Sequence, residues 1–229
     1  MKFLHVDFEN EASILHSTDQ IAEKISKDIL FQVNGSHYRI VDFEFYCYSE
    51  KFSDPHTHKN DLQKETGKIY LHGSGLDITF GDGENYGGML IRGVVKLYDG
   101  AGAEEGHMKK QYDGPHKVAT ELFSGLHSVL DPNQKNEIRL TDIEGRNFDA
   151  LLTLPVKVLK TSRVGLTKKE KDPEDTYMNL PLRYIVVLKK FPKFKQSIKG
   201  LENILEEYLG SGRITSAEAN ELLGYNRKF

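Results

Sequence analysis

The sequence predicts one α/β (α+β) domain over residues 1–195, a curved and mostly antiparallel sheet flanked by helices, with a helical extension over 196–229 packed on it. Three observations carry that reading. Isoleucines near the N-terminus recur at helical spacing. A series of β-branched and aromatic segments follows, separated by short glycine turns that favour antiparallel neighbours. The tail carries a second apolar stripe at helical spacing.

The first helix is expected from about Asp19 to Leu30, capped by Thr18 or Asp19, with Ile21, Ile25 and Ile29 on one face. Asn34-Gly35 turns the chain into an extended segment, Tyr38 to Tyr48. Alternation puts Val41, Phe43, Phe45 and Cys47 on one side of it and Asp42, Glu44, Tyr46 and Tyr48 on the other. Strands are expected at Lys68 to His72 and Leu76 to Phe80, joined through Gly73-Ser74-Gly75, and at Met89 to Leu97. The glycine-studded loop from Gly81 to Gly88 precedes the last of these. Gly114-Pro115 opens a second helix whose buried stripe is Val118, Leu122, Leu126 and Val129. Further strands are expected at Leu151 to Leu159 and Leu182 to Leu188. In the tail, Leu201, Ile204, Leu205, Tyr208 and Leu209 form a stripe stopped by Gly210. Thr215 with Glu218 then forms a capping box for a last helix ending near Gly224.

Composition narrows the functional classes. A single cysteine, Cys47, excludes an internal disulfide and a cysteine zinc cluster. No apolar run is long enough to span a bilayer, and Met1 to Asp7 lacks the core of a secretory signal, so a cytoplasmic chain without membrane contact is expected. No obligate protein partner is indicated. The net charge of −3 is unfavourable for a polyanionic partner, but charge is uneven: between Lys157 and Lys199 there are 12 Lys and Arg against 4 Asp and Glu. A basic face on an acidic body and a solvated edge both fit that asymmetry.

The residues with chemical potential begin with Glu44 and Asp42, an acidic pair on one strand face beside Tyr46. The pair is either solvent-facing or the floor of a pocket holding a general base. Arg92 interrupts an apolar strand and therefore needs a buried partner, for which Glu44 is suited with or without catalysis. Tyr46 is either a half-buried strand aromatic or a surface on which a planar ligand stacks. Arg163 and Arg183 fit ion pairs or phosphate contacts. His56 and His58 alternate beside Asp54, and His72 could join them on a metal, but such spacing is common by chance and no metal is assigned. The loop from Gly81 to Gly88 is either a plain turn or an amide nest for phosphate.

Seven segments in order resemble the 3-methyladenine (alkyladenine) DNA glycosylase family. They are Asp42-Phe43-Glu44-Phe45-Tyr46, Asp54-Pro55-His56-Thr57-His58, Gly67-Lys68-Ile69-Tyr70-Leu71-His72, Met89-Leu90-Ile91-Arg92, Gly114-Pro115-His116-Lys117-Val118, Ser162-Arg163-Val164-Gly165-Leu166 and Pro181-Leu182-Arg183-Tyr184. The resemblance runs roughly from Ile21 to Leu188. It implies that family's fold and the hydrolysis of the N-glycosidic bond of an alkylated purine extruded from damaged DNA, the first step of base-excision repair, without a cofactor. Glu44 would activate the water and Arg92 would help hold both. Tyr46, His58, His72 and Tyr70 would bind the base, and Arg163, Lys168, Lys169 and Arg183 would contact DNA. A non-catalytic nucleic-acid or nucleotide-binding protein of the same fold is the alternative.

The chain departs from the family pattern in four places. Phe45 stands where the family has alanine, and the spacing from Glu44 to the stacking histidine is longer. The tyrosine wedge that fills the gap left by the base falls at Gly73-Ser74-Gly75, where nothing is bulky. Lys59 to Lys64 replaces an Arg-Asn-rich segment. A missing wedge makes flipping from a duplex costlier and favours a single-stranded, mismatched or non-DNA substrate, unless Phe80 or Tyr86 substitutes for it.

Overall fold

The structure, a computed structural model, describes residues 3–97, 108–128, 130–131, 133–143, 157–188 and 196–229. In chain order these form α1 (Glu11–Asp28), β1 (Ile29–Val33), β2 (Ser36–Tyr48), a 3-10 turn (Asp61–Lys64), β3 (Thr66–His72), β4 (Gly75–Phe80), β5 (Tyr86–Leu97) and β6 (Met108–Asp113). They continue with α2 (Pro115–Ser124), β7 (Ile138–Asp142), β8 (Lys157–Thr161), α3 (Thr176–Asn179), β9 (Arg183–Val187), α4 (Leu201–Gly210) and α5 (Ser216–Leu223). The fold is α+β, a single domain built on a curled antiparallel sheet.

The first helix starts eight residues before the expected position. Asn10 caps it by accepting from the Ser13 amide, and Ile14 extends the buried stripe of Ile21 and Ile25. Ile29, expected on the helix, instead begins β1. The Asn34-Gly35 turn closes a β1–β2 hairpin with Val33 paired to Ser36. Strands β1, β6 and β7 were not foreseen. Helix α2 ends at Ser124 on the Gly125 cap, short of Leu126, and Val129 lies outside the described residues. Of the strand expected over Leu151 to Leu159, residues 151–156 lie outside the described set, as does the lysine run from Lys189 to Lys195.

Strand β2 is the backbone of the site. It pairs with β5 from Tyr38 to Tyr48, and its other edge takes β1 at one end and β9 at Asp42 to Glu44. Two compensating bulges interrupt the β2–β5 ladder. Ile40 faces Val94 and Asp42 faces Gly93, leaving Val41 extra on β2; Phe43 faces Ile91, leaving Arg92 extra on β5. Bulges bend a strand and re-aim a side chain, and this one directs Arg92 toward the β2 carboxylates. Gly93 permits the approach, since a Cβ there would lie 3.0 Å from the Cβ of Asp42.

The predicted face alternation of β2 holds. Phe43 and Phe45 are fully buried in an aromatic cluster with Tyr184 and Phe80, at centroid separations of 5.4–5.8 Å, and the isoleucines of α1 cover it. The larger Phe45 is accommodated there edge-on against Phe80 and Tyr184. Strand β9 is covered on both sides. Tyr184 and Val186 join that core, while Ile185 and Val187 join Leu159 in a second cluster under Ile204, Leu205 and Tyr208 of α4 and Ala219 and Leu223 of α5. The α5 capping box is present as expected.

Candidate active site

Glu44 sits on the polar face of β2, fully buried, with three donors converging on its carboxylate. The Tyr46 hydroxyl donates to Oε2 at 2.8 Å, Arg92 Nη1 to Oε2 at 3.3 Å, and the Val164 amide to Oε1 at 2.9 Å. Arg183 grips the neighbouring Asp42 through two bonds of 2.9 and 2.7 Å. Arg92 Nε is 4.0 Å from Asp42, so two acids and two guanidiniums form one ionic layer. Burial raises the Glu44 pKa above the ordinary glutamate value, against the downward pull of Arg92, the Val164 amide and the Tyr46 hydroxyl. A carboxylate tuned upward in this way is a stronger base than an exposed glutamate.

Tyr46, Arg92 and Val164, the three donors to Glu44, also line a cleft of about 290 Å³. The carboxylate therefore lies directly behind the cleft wall. Across the sheet, Glu44 on β2 faces Leu90 on β5, which faces Asp77 on β4. Two strand spacings separate the carboxylates by about 10 Å, room for a planar heterocycle standing on Leu90. Gly88 keeps that corner open, since a Cβ there would lie 2.5 Å from Asp77 Oδ2.

Histidines make the opposite wall. The His72 Nδ1 accepts from the Ser74 amide at 3.2 Å, so its proton sits on Nε2 and is donated to Asp77 at 3.0 Å. Gln63 donates to the same carboxylate at 3.3 Å. His58 meets His72 edge-on at 4.5 Å, and burial first, then His72, holds its pKa below the usual histidine value. Of the acids and guanidiniums around the site, Asp77 and Arg92 line the cleft, while Glu44 lies behind it on Arg92, Asp42 pairs with Arg183 and Asp54 with Arg163.

The expected site residues separate into groups. Glu44, Arg92, Tyr46, His58 and His72 come together around the cleft. Tyr70 does not line it; its ring lies 4.9 Å from His72, and its hydroxyl is 3.4 Å from the His58 Nδ1, so it backs both histidines. Two assignments to DNA are corrected. Arg163 is buried, bonded to Asp54 at 2.6 Å and to the carbonyls of Phe45 and Tyr177, with its guanidinium 4.7 Å from the Tyr46 ring centre. Arg183 is buried on Asp42. Neither has a surface to offer phosphate. Lys168 and Lys169 are exposed, the former 3.3 Å from Asp175. Lys157 and Lys160 pair with Glu218 and Asp19, so these two lysines of the basic segment are matched by acids from elsewhere in the chain.

Other options close as well. Asp54, His56 and His58 lie in the loop after β2, not on a strand, and no group of three or more His, Cys, Asp or Glu among the described residues could hold a metal ion. The amides of Glu84 and Asn85 are taken by Asp82, so the loop from Gly81 to Gly88 is an Asp-closed turn. Phe80 is buried and Tyr86 packs on Tyr48, which removes both as wedges. Sequence reasoning missed Gln63, Asp77, Val164 and Asp172. Only Asp77 left a signal, an acid two residues after a glycine turn inside an apolar strand.

No family model matches the chain. An uncharacterized protein of Acanthamoeba polyphaga mimivirus is 25 % identical over 217 residues, covering 82 % of this chain and 91 % of the viral one. Its name carries no activity.

Proposed function

We propose that this chain is a monofunctional DNA glycosylase that hydrolyses the N-glycosidic bond of an alkylated purine, with Glu44 activating the water. The observation carrying the reading is the Glu44 carboxylate, raised in basicity, clamped by Arg92 and Tyr46, and lying behind a cleft sized for one heterocycle. Loss of the base leaves an oxocarbenium-like sugar, which a nearby carboxylate stabilises electrostatically. A purine alkylated at N3 or N7 is cationic while bound to the sugar, so it leaves without help. No lysine among the described residues lines the cleft, so the product is an abasic site with the strand intact.

The hairpin favours loosely paired or single-stranded DNA. Its tip is the two-residue turn Gly73-Ser74, and the large apolar side chain beside it is Leu71, 55 % exposed. Leucine can wedge between bases, but it fills a gap less well than an aromatic ring. The non-catalytic nucleic-acid or nucleotide-binding alternative draws on the burial of Arg163 and Arg183, which removes two phosphate contacts.

The test is base release from methylated single-stranded and duplex DNA, read as abasic sites. Wild-type protein is expected to produce them, and Glu44→Gln to lower the rate by about 10²-fold or more with DNA binding retained. Equal rates in the two proteins would refute the role of Glu44. Binding without release by the wild type would favour the non-catalytic reading.

A further inference from the structure

The polar face of the sheet continues past the cleft. Alternation along β2 puts Glu44, Tyr46 and Tyr48 on that face, and across the ladder Tyr46 faces Gly88 and Tyr48 faces Tyr86. Tyr48 therefore stands about 13 Å along the strand from Glu44. The Tyr48 and Tyr86 rings meet edge-on at 6.0 Å, and both are partly exposed. A lysine lies over each. Lys59 Nζ is 4.2 Å from the Tyr48 ring centre, and Lys64 Nζ is 5.0 Å from that of Tyr86.

One loop serves both the cleft and this patch. His58 and Gln63 line the cleft, and the residue after each, Lys59 or Lys64, lies on a tyrosine. The left-handed backbone of Lys59, at φ 56°, makes the turn between the two sides, and the Asn60–Gln63 capping box fixes the stretch that follows. Among the described residues neither lysine has a carboxylate partner, whereas nearby Lys68 is held by Glu65 at 3.0 Å. The hydroxyls of Tyr38, Tyr46, Tyr184 and Tyr208 are bonded within the fold; those of Tyr48 and Tyr86 have no partner among the described residues. Hydrogen bonding and ion pairing within the fold thus leave both hydroxyls and both charges unused.

We propose that Tyr48 and Tyr86, with Lys59 and Lys64, form a second, outer base-stacking site, which holds the single-stranded DNA flanking the nucleotide in the cleft. This rests on the DNA glycosylase reading above. Exposed aromatic rings accept any base and lysines beside them neutralise the backbone, the combination that binds single strands without reading sequence. The separation of about 13 Å is roughly four stacked nucleotide steps, and fewer if the strand is stretched. A cation over an exposed ring is weakly held, so an arriving base displaces the ammonium toward a phosphate. Bases inside a duplex are stacked on one another and have no free face, so the site acts in the same direction as the small Gly73-Ser74 turn, toward unpaired DNA.

The experiment measures, by fluorescence anisotropy, the affinity for an undamaged labelled single strand of about 15 nucleotides and for the matching duplex, so that no base release is needed. Tyr48→Leu and Tyr86→Leu keep an apolar side chain and remove the stacking face, while Tyr48→Phe keeps that face; folding is checked by thermal melting. Each leucine variant is expected to bind the single strand about fivefold or more weakly, with a smaller loss on duplex and with Tyr48→Phe at the wild-type level. The double variant Lys59→Ala/Lys64→Ala should flatten the slope of log affinity against log salt by about 1.4, the loss of two phosphate contacts. Folded leucine variants that bind the single strand as the wild type does would overturn the proposal. Equal losses on both DNAs, an unchanged salt slope, or a wild type that does not bind the single strand would overturn it too. Base release by the wild type together with full binding by the leucine variants removes the outer site and leaves the glycosylase reading standing. Weakened binding by those variants without any base release by the wild type supports the site and removes the glycosylase reading.

Discussion

The floor and the histidine wall of the cleft are built on opposite principles. On the floor, Asp42, Glu44, Arg92 and Arg183 come from three adjacent strands, and each carboxylate has guanidinium partners at fixed register. On the wall, His56 and His58 come from a loop and His72 from a hairpin end, and their contacts are ring edges, single bonds and one orphan nitrogen. On the floor, opposite charges hold one another where solvent is absent, with Arg92 Nε left as a buried atom without a hydrogen bond; on the wall, ring edges and single bonds leave contacts for something else to complete. Stability resides in the first and adaptability to a ligand in the second.

The contrast breaks most severely at Arg163. Replacing it by alanine strands Asp54 as a buried unpaired charge and strips the Phe45 and Tyr177 carbonyls of a donor. Arg163→Ala is expected to lose about 3–5 kcal/mol in denaturant unfolding. A loss under about 1 kcal/mol would mean that the Arg163–Asp54 pair does not hold this region together. Tyr46→Phe probes the seam between floor and wall. It removes one donor to the Glu44 carboxylate while leaving Arg92 and Val164, so the Glu44 pKa rises further. The base must be ionised to work, so the acid limb of the rate profile should move to higher pH by about one unit. A profile that does not move would separate the tyrosine from the base. The mildest change lies outside both regions. Thr215→Ala opens the α5 capping box and should cost about 1 kcal/mol of stability with base release unaltered. A change in release would show that the C-terminal helices reach the cleft.

Some of this was readable without coordinates. The period-2 pattern of β2 placed Glu44 with Tyr46 and opposite Phe43 and Phe45, because alternation is a local property of an extended chain. Arg92 was traced to Glu44 because a guanidinium in an apolar strand requires a buried anion. The start of α1 was missed because Ser17 and Thr18, both buried, interrupt the apolar stripe between Ile14 and Ile21. Strand β1 was missed because it follows α1 with no turn residue between them.

Arg163 and Arg183 show where the chain's own pattern stops being informative. A phosphate contact and a buried ion pair call for the same residue, and burial alone separates them. The sequence determined the alternation, the caps and the existence of an acid–arginine pair, all of which follow from neighbours within a few residues. The tertiary structure decided that the Val164 amide, 120 residues from Glu44, reaches its carboxylate, that Asp77 holds His72, and that Asp172 stands behind His56. Those meetings depend on strand order and register across long loops, and no local periodicity encodes them.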